Sequence, residues 1–194
     1  MGIEFELKYR ATTQIQEDML RLAPQWQTIS METTYYDTAA LALGQKRCTL
    51  RRRLENGVSV CTVKTPAQGF GRKEWEVVAP SIEEAVPALC KLGVPDDLLS
   101  LIKEGVFPVC GARFTRKAAT VTVDGAVLEL ALDTGCLFAG ANEIPLCEIE
   151  VELKQGEQSR ALAYGAFLSQ QFKLTPEPHS KFRRALALRE EYNG

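Results

Sequence analysis

Acidic residues occur at every second position in three short stretches of the sequence. In a β-strand, this spacing places the carboxylates on one face, about 6 to 7 Å apart along the backbone. Carboxylates this close repel one another unless a cation lies between them, and Mg²⁺ and Mn²⁺ prefer oxygen ligands. If the rows face inward, they indicate a metal site. The rows are Glu4 and Glu6, then Glu74 and Glu76, and finally Glu148, Glu150 and Glu152.

Basic residues show the same spacing at Arg51 and Arg53, and Lys64 belongs to the next alternating stretch. Arginines and lysines that line one wall repel one another unless a polyanion fills the space between them. A cationic wall that faces metal-binding carboxylates is the arrangement expected of a site for a phosphate chain.

The acidic rows also fit a second interpretation, in which they form the solvated face of a half-buried sheet. Periodicity alone does not tell which face of a strand is inside. Two observations favour the inward direction. Carboxylates are poor strand formers, yet three predicted strands carry them. Each row also has nearly a single sign, whereas exposed surfaces more often mix both signs.

Strand patterns dominate the chain, and two of the predicted turns are specific. Asn56-Gly57 and Asp124-Gly125 each separate two alternating segments, and both dipeptides accept the positive φ angles of a tight hairpin turn. The predicted strands cover residues 2–10, 47–55, 57–65, 72–79, 116–123, 126–134 and 146–154.

Helix patterns are fewer. Thr13 with Gln16 and Ser81 with Glu84 form capping boxes that predict two helix starts, and further helices are predicted over 157–172 and 181–191. Many antiparallel strands with helices gathered outside them predict an α+β fold. A closed barrel would remove the exposed strand edges.

Composition limits the class of protein. A chain of 194 residues with 45% hydrophobic and 25% charged residues fits one globular domain over residues 1–194. A net charge of −2 argues against a general nucleic-acid binder. The first six residues have neither the basic start nor the apolar core of a secretion signal, and no apolar run approaches roughly 20 residues, so neither a signal peptide nor a membrane span is expected. Its 6 cysteines form no C-x-x-C pair, which predicts reduced, mostly buried thiols and a cytoplasmic location without a membrane partner.

The order of these motifs resembles the CYTH family, also called triphosphate tunnel metalloenzymes, and is closest to its bacterial inorganic triphosphatases. The similarity extends over nearly the whole chain. It rests on Glu4-x-Glu6-x-Lys8, Tyr35-Tyr36-Asp37-Thr38, Leu50-Arg51-x-Arg53, Thr62-x-Lys64, Arg72-x-Glu74-x-Glu76, Leu132-Asp133-x-Gly135, Glu148-x-Glu150-x-Glu152-Leu153-Lys154-x-Gly156 and Ser180-Lys181. The resemblance implies an eight-stranded antiparallel β-barrel, open at both ends, whose charged rows face into a tunnel.

The resemblance also implies roles for individual residues. The main divalent metal, Mg²⁺ or Mn²⁺, is expected to bind Glu4, Glu6 and Glu152. Candidate ligands of a second ion or its waters are Asp133, Glu148 and Glu150. The residues expected to bind the phosphates are Lys8, Arg51, Arg53, Lys64, Arg116 and Lys181. The residues expected to be catalytic are Glu4, Glu6, Lys8 and Glu150.

Some positions are less well defined by the resemblance. Glu74 and Glu76 are expected in the tunnel without an assigned role, and His179 is expected to be a cap or loop residue. Arg116 is preferred to Arg113, because the two cannot share one face of a regular strand.

The reaction expected from the resemblance is hydrolysis of inorganic triphosphate to pyrophosphate and phosphate. Three alternatives remain open: a class IV adenylate cyclase, a thiamine triphosphatase and a non-catalytic polyphosphate-binding module. A thiamine triphosphatase would need an aromatic surface near the tunnel mouth, for which Trp26 and Trp75 are candidates. The expected partner is a small molecule that contains a triphosphate, with no nucleic acid, and the oligomeric state is not predicted.

Overall fold

A computed structural model of the chain describes residues 2–67 and 71–190. In this part of the chain, ten strands form one antiparallel sheet, and helices pack on its outer side and at one end. The α+β prediction is therefore confirmed. The strands are β1 (Gly2–Glu4), β2 (Glu6–Arg10), β3 (Gln27–Asp37), β4 (Thr49–Glu55), β5 (Val58–Pro66), β6 (Arg72–Val78), β7 (Phe107–Val123), β8 (Ala126–Ala139), β9 (Asn142–Gln155) and β10 (Thr175–Pro176). The helices are α1 (Thr13–Met19), α2 (Ala42–Gln45), α3 (Ile82–Lys91), α4 (Asp96–Glu104), α5 (Gln158–Phe172) and α6 (Lys181–Glu190).

The sheet differs in strand number and closure from the expected eight-stranded closed barrel. Its order is β1-β6-β5-β4-β3-β7-β8-β9-β2-β10, so the hydrogen-bonded row has two ends. The predicted strand over residues 2–10 is interrupted at Phe5: β1 pairs with β6, whereas β2 pairs with β9. Two halves of one short segment thus lie near opposite ends of the row, and the sheet curves round a central space.

The two predicted hairpin turns are confirmed. Asn56 and Gly57 have φ angles of 49° and 87°, and Asp124 and Gly125 have φ angles of 48° and 80°. Positive φ at both central residues gives the turn a twist that matches the strands beside it. The turns set the register of β4 with β5 and of β7 with β8, and hence which side chains share the inner face.

Apolar side chains on the outer face of the sheet are covered by helices. On one side α3 and α4 enclose Trp75, which is 3% exposed. On another side α5 covers Ile149 and Val151. Inside one end of the curved sheet, α6 packs against Phe114 and Leu146, so it fills that end of the central space.

One predicted helix start is wrong. Thr12, not Thr13, caps α1, and its hydroxyl accepts a hydrogen bond from the Ile15 N–H at 3.3 Å. Thr12 has the extended backbone that an N-cap requires, while Thr13 is already helical. Gln16 therefore forms no capping box and is instead buried against the sheet.

The 6 cysteines are free, and Cys48, Cys61 and Cys110 are buried as predicted, whereas Cys90 is exposed. In the described residues, no helix combines the length and the apolar character that a membrane crossing needs.

Candidate functional site: a charged tunnel

The curved sheet encloses a cavity of about 1130 Å³. Charged side chains from eight strands, from α6 and from loops line it. The acidic lining residues are Glu4, Glu6, Glu55, Glu74, Glu76, Glu129, Glu150 and Glu152. The basic lining residues are Lys8, Arg47, Arg51, Arg53, Lys64, Arg72, Arg116, Lys154, Lys181 and Arg183. The alternating rows thus share one interior space, except for Asp133 and Glu148, which lie behind its surface and are 0% exposed.

Three carboxylates form a row across neighbouring strands. Glu152 on β9 pairs with Glu6 on β2 at one side and with Glu129 on β8 at the other. Lys154 Nζ lies 2.8 Å from Glu152 and 3.4 Å from Glu129. Burial and the nearby charges of Glu4 and Glu129 raise the pKa of Glu152 above its ordinary value, although Lys154 opposes this shift.

This row, with Glu4, has the composition of a site for a hard divalent cation. All of its ligand atoms would be carboxylate oxygens, which suit Mg²⁺ or Mn²⁺. The raised pKa of Glu152 reflects burial of the carboxylate first and the like charges of Glu4 and Glu129 second. A divalent ion would relieve that repulsion, so the residues fit the metal that the family resemblance implies.

A second acidic group lies deeper. Asp133, Glu148 and Glu150 each offer a carboxylate oxygen, and these atoms lie within 4.8 Å of one another. Lys181 Nζ contacts all three carboxylates, at 2.8 Å for Asp133 and for Glu150. Arg116 donates two hydrogen bonds to Asp133, at 2.7 and 2.8 Å, and also binds Glu150.

Charge interactions within this deep group shift the pKa values of its members. Burial alone would lower the pKa of Lys181, but the three carboxylates, Asp133 foremost, raise it well above its ordinary value. Burial would raise the pKa of Glu150, but Lys181 and Arg116 outweigh it and hold this carboxyl well below its usual range. The ammonium of Lys181 therefore occupies the position that a metal ion would take among these oxygens.

The cationic wall is less well compensated. Arg51 and Arg53 share the inner face of β4, and the Nε atoms of both are buried without a hydrogen-bond partner. Arg53 is paired with Glu55 at 3.0 Å, and Arg51 lies 3.5 Å from Glu74. Burial, together with the charges of Arg51 and Arg116, lowers the pKa of Arg53.

Glu74 and Glu76 also lie in the lining. Glu74 is 3.4 Å from Lys64, whose ammonium also binds Glu4 at 2.6 Å. Glu76 accepts a hydrogen bond from the Thr62 hydroxyl at 3.2 Å. Lys8 is bound to Glu6 at 2.9 Å.

Several lining or supporting residues were not predicted. Glu129 could have been predicted from alternation, since positions 129, 131 and 133 lie on one face of the same strand. Arg184, which binds Glu148, and Glu177, which binds Arg10 at 2.8 Å, lie outside any alternating pattern. Their positions depend on how α6 enters the sheet, which local periodicity does not report.

Arg113, His179 and Gly135 differ in their positions relative to the cavity. Arg113 is exposed, lies outside the cavity lining and pairs with Glu143 at 2.8 Å, whereas Arg116 lies in the lining. His179 belongs to the loop before α6 and lies in the cavity lining. At Gly135 a Cβ atom would lie 2.1 Å from the Arg113 carbonyl oxygen, which explains why only glycine fits this motif position.

The protein is thus a curved antiparallel sheet round a cavity that carries carboxylate rows and a cationic wall. The chain belongs to the CYTH family, because the model of the CYTH domain matches residues 2–186. An inorganic triphosphatase of Haemophilus influenzae is 28% identical over 162 residues, which cover 79% of this chain and 46% of the relative. The chain thus spans less than half the length of that relative.

Solved structures share the fold. The PH1819 protein of Pyrococcus horikoshii matches with a TM-score of 0.65 and 21% identity, over 95% of this chain and 98% of its own. The Hippeastrum protein HpAC1, described as a candidate adenylyl cyclase with a dominant triphosphatase activity, matches with a TM-score of 0.62 and 19% identity, over 96% of each chain.

Proposed function

We propose that this protein hydrolyses the terminal phosphoryl group of inorganic triphosphate in a metal-dependent reaction. The observation that carries the proposal is the pair Arg51 and Arg53, whose buried Nε atoms lack partners in a cavity that also holds the row Glu6–Glu152–Glu129. A buried guanidinium without a full set of acceptors costs stability unless an anion enters. A triphosphate chain in the cavity would supply negative charge opposite these guanidinium groups.

The metal is assigned to Glu4, Glu6 and Glu152, and Glu129 is added as their neighbour. Held by these carboxylates, Mg²⁺ or Mn²⁺ would supply positive charge that offsets the charge developing on the phosphates in the transition state. The cationic residues then hold the phosphate chain in line for attack by water. These residues are Lys8, Arg51, Arg53, Lys64, Arg116 and Lys181.

The deep cluster limits where a second ion could bind. A second cation between Asp133, Glu148 and Glu150 requires that Lys181 first leave those oxygens, for example to bind a phosphate. Glu150 is the one member of the cluster that reaches the cavity surface. We assign Glu150 the task of positioning Lys181 and Arg116 at that surface.

The positions of the two tryptophans are relevant to the thiamine triphosphatase alternative. Trp75 is buried under α3 and α4, and Trp26 donates a hydrogen bond to the Leu20 carbonyl at 2.8 Å, so neither lines the cavity. The two stacking candidates for thiamine are therefore elsewhere in the protein. The tryptophans therefore give no support for thiamine triphosphate as the substrate, although the rings of Tyr35 and Phe182 do line the cavity. A cytoplasmic location is proposed with it, as the sequence predicts.

Phosphate release is the direct test. Triphosphate, ATP, thiamine triphosphate and long-chain polyphosphate are each supplied with Mg²⁺ and with Mn²⁺, and in the presence of a chelator. The proposal expects the highest kcat/KM for triphosphate and none with the chelator. Formation of cyclic AMP from ATP, or turnover that persists without metal, would overturn it.

A further inference from the structure

Glu177 is a buried carboxylate outside the cavity lining. Its side chain is 1% exposed, although it belongs to the short connection between β10 and α6. Burial acts to raise its pKa, but a hydrogen bond from the His179 N–H and the charges of Arg10 and Arg184 outweigh this, and the pKa of Glu177 lies below its ordinary value. Glu177 is thus a buried charge held by several partners.

These partners belong to three parts of the fold. On β2, Arg10 Nε donates to Glu177 Oε2 at 2.8 Å. In the turn before α6, the His179 N–H donates to Oε1 at 3.0 Å. On α6, Arg184 lies 3.7 Å from Oε2. The Glu177 N–H also donates to the Lys8 carbonyl at 2.8 Å, which fixes the segment on the strand that carries Glu6 and Lys8.

A continuous series of ionic contacts leads from Glu177 to the cavity. Arg184 faces Glu177 with one terminal nitrogen and binds Glu148 with the other. The second oxygen of Glu148 binds Lys181, and the Lys181 ammonium binds Glu150 at the cavity surface. The carboxylate of Glu177 therefore fixes the start of α6 relative to β2, at the point where Lys181 enters the site.

We propose that Glu177 is a positioning residue, which sets the location of the Lys181 ammonium through Arg184 and through the turn at His179. The inference rests on the proposed function, because it assigns Lys181 to the phosphate chain. Glu177→Gln keeps the size of the side chain and an acceptor for the His179 N–H. It removes the charge that faces Arg10 and Arg184, so the ionic series loses its first member.

The test compares wild type, Glu177→Gln and Glu157→Gln, the last being an exposed glutamate at the start of α5. We expect Glu177→Gln to raise the KM for triphosphate roughly tenfold, the effect of one weakened charged contact. We expect kcat to change less, and Glu157→Gln to match wild type. Equal KM values for Glu177→Gln and wild type would overturn the proposal, even if Glu177→Gln lowered the Tm.

A double-mutant cycle with Arg184→Gln tests the route. If Glu177 acts through Arg184, Glu177→Gln causes almost no further rise in KM when Arg184 is already Gln. If the two substitutions raise KM independently, so that the double variant shows the product of the two increases, Glu177 does not act through Arg184. If Arg184→Gln does not fold, Arg184→Lys replaces it, since lysine cannot contact both carboxylates with separate nitrogens.

Calorimetric binding of triphosphate separates this inference from the proposed function. Weaker binding by Glu177→Gln than by wild type supports the positioning role even if neither protein releases phosphate. In that case only the proposed reaction would fail. Equal affinities would overturn the positioning role whatever the catalytic result.

Discussion

Glu6 on β2 lies directly opposite Glu152 on β9, although the two residues are far apart in the sequence. Like charges on directly paired positions destabilise a sheet. Lys8 and Lys154 each bind one of the two carboxylates, at 2.9 and 2.8 Å. The two lysines thus offset part of the repulsion between Glu6 and Glu152, and a divalent cation would offset more of it.

The three consecutive arginines of β4 provide a matched set. Arg51 and Arg53 line the cavity, while Arg52 lies on the other face and donates to the Ser59 hydroxyl at 2.9 Å. We expect Arg51→Gln and Arg53→Gln each to lower kcat/KM for triphosphate about 100-fold, because each removes a donor to the phosphates. Arg52→Gln should stay within a fewfold of wild type. Similar losses of kcat/KM in all three variants would contradict the assignment of the phosphate contacts to the inner face of β4.

Gln16 on α1 supports the backbone behind the deep carboxylates. Its amide nitrogen donates to the carbonyls of Asp133 and Glu148, both at 3.0 Å, and its oxygen accepts from Thr134 at 2.6 Å. Gln16→Met leaves these groups unpaired, so the free energy of unfolding should fall by about 1–3 kcal/mol. Gln14→Met, at an exposed position of the same helix, is the control. Urea unfolding of the two variants gives the comparison, and equal stabilities would count against the hydrogen bonds.

Because Cys61 and Cys110 are buried, we expect the free energy of unfolding to fall at alkaline pH. Burial raises the pKa of Cys61 to about 11 and that of Cys110 to about 12, from an ordinary value near 9. The folded state therefore favours the protonated thiols. Their contribution is complete below about pH 9 and is lost as the pH rises through about 11 to 12, because the unfolded chain ionises first.

Alkylation checks the same environments at neutral pH. Iodoacetamide should modify the exposed Cys90 in the folded protein and leave Cys61 and Cys110 unmodified until denaturant is added. Mass spectrometry of peptides locates the label. Early labelling of Cys61 would contradict its burial.

Local patterns in the sequence were sufficient for much of the fold. The hairpins at Asn56-Gly57 and Asp124-Gly125 need only residues that accept positive φ, so they could be predicted. Alternation then placed Glu152 on the same strand face as Glu150, and Arg51 on the same strand face as Arg53. Which face is inside could not be decided locally, because a solvated and an enclosed row have the same period, and the family resemblance supplied that information.

Long-range relations could not be predicted from periodicity. The interruption at Phe5 depends on a change of partner strand, from β6 to β9, and no property of residues 2–10 signals it. The contact of Lys181 with three carboxylates depends on where α6 enters the sheet. A basic residue after Ser180 gives no indication that its cation will be shared by Asp133, Glu148 and Glu150.

The most direct test of the central claim is the binding of Mn²⁺ to wild type, Glu6→Gln, Glu152→Gln and Glu143→Gln, measured by calorimetry together with phosphate release from triphosphate. Glu143 is an exposed glutamate outside the cavity lining and serves as the matched control. The account predicts that Glu6→Gln and Glu152→Gln lose Mn²⁺ affinity at least about tenfold and lose turnover, while Glu143→Gln keeps both. Unchanged Mn²⁺ affinity and turnover in Glu6→Gln and Glu152→Gln would contradict it.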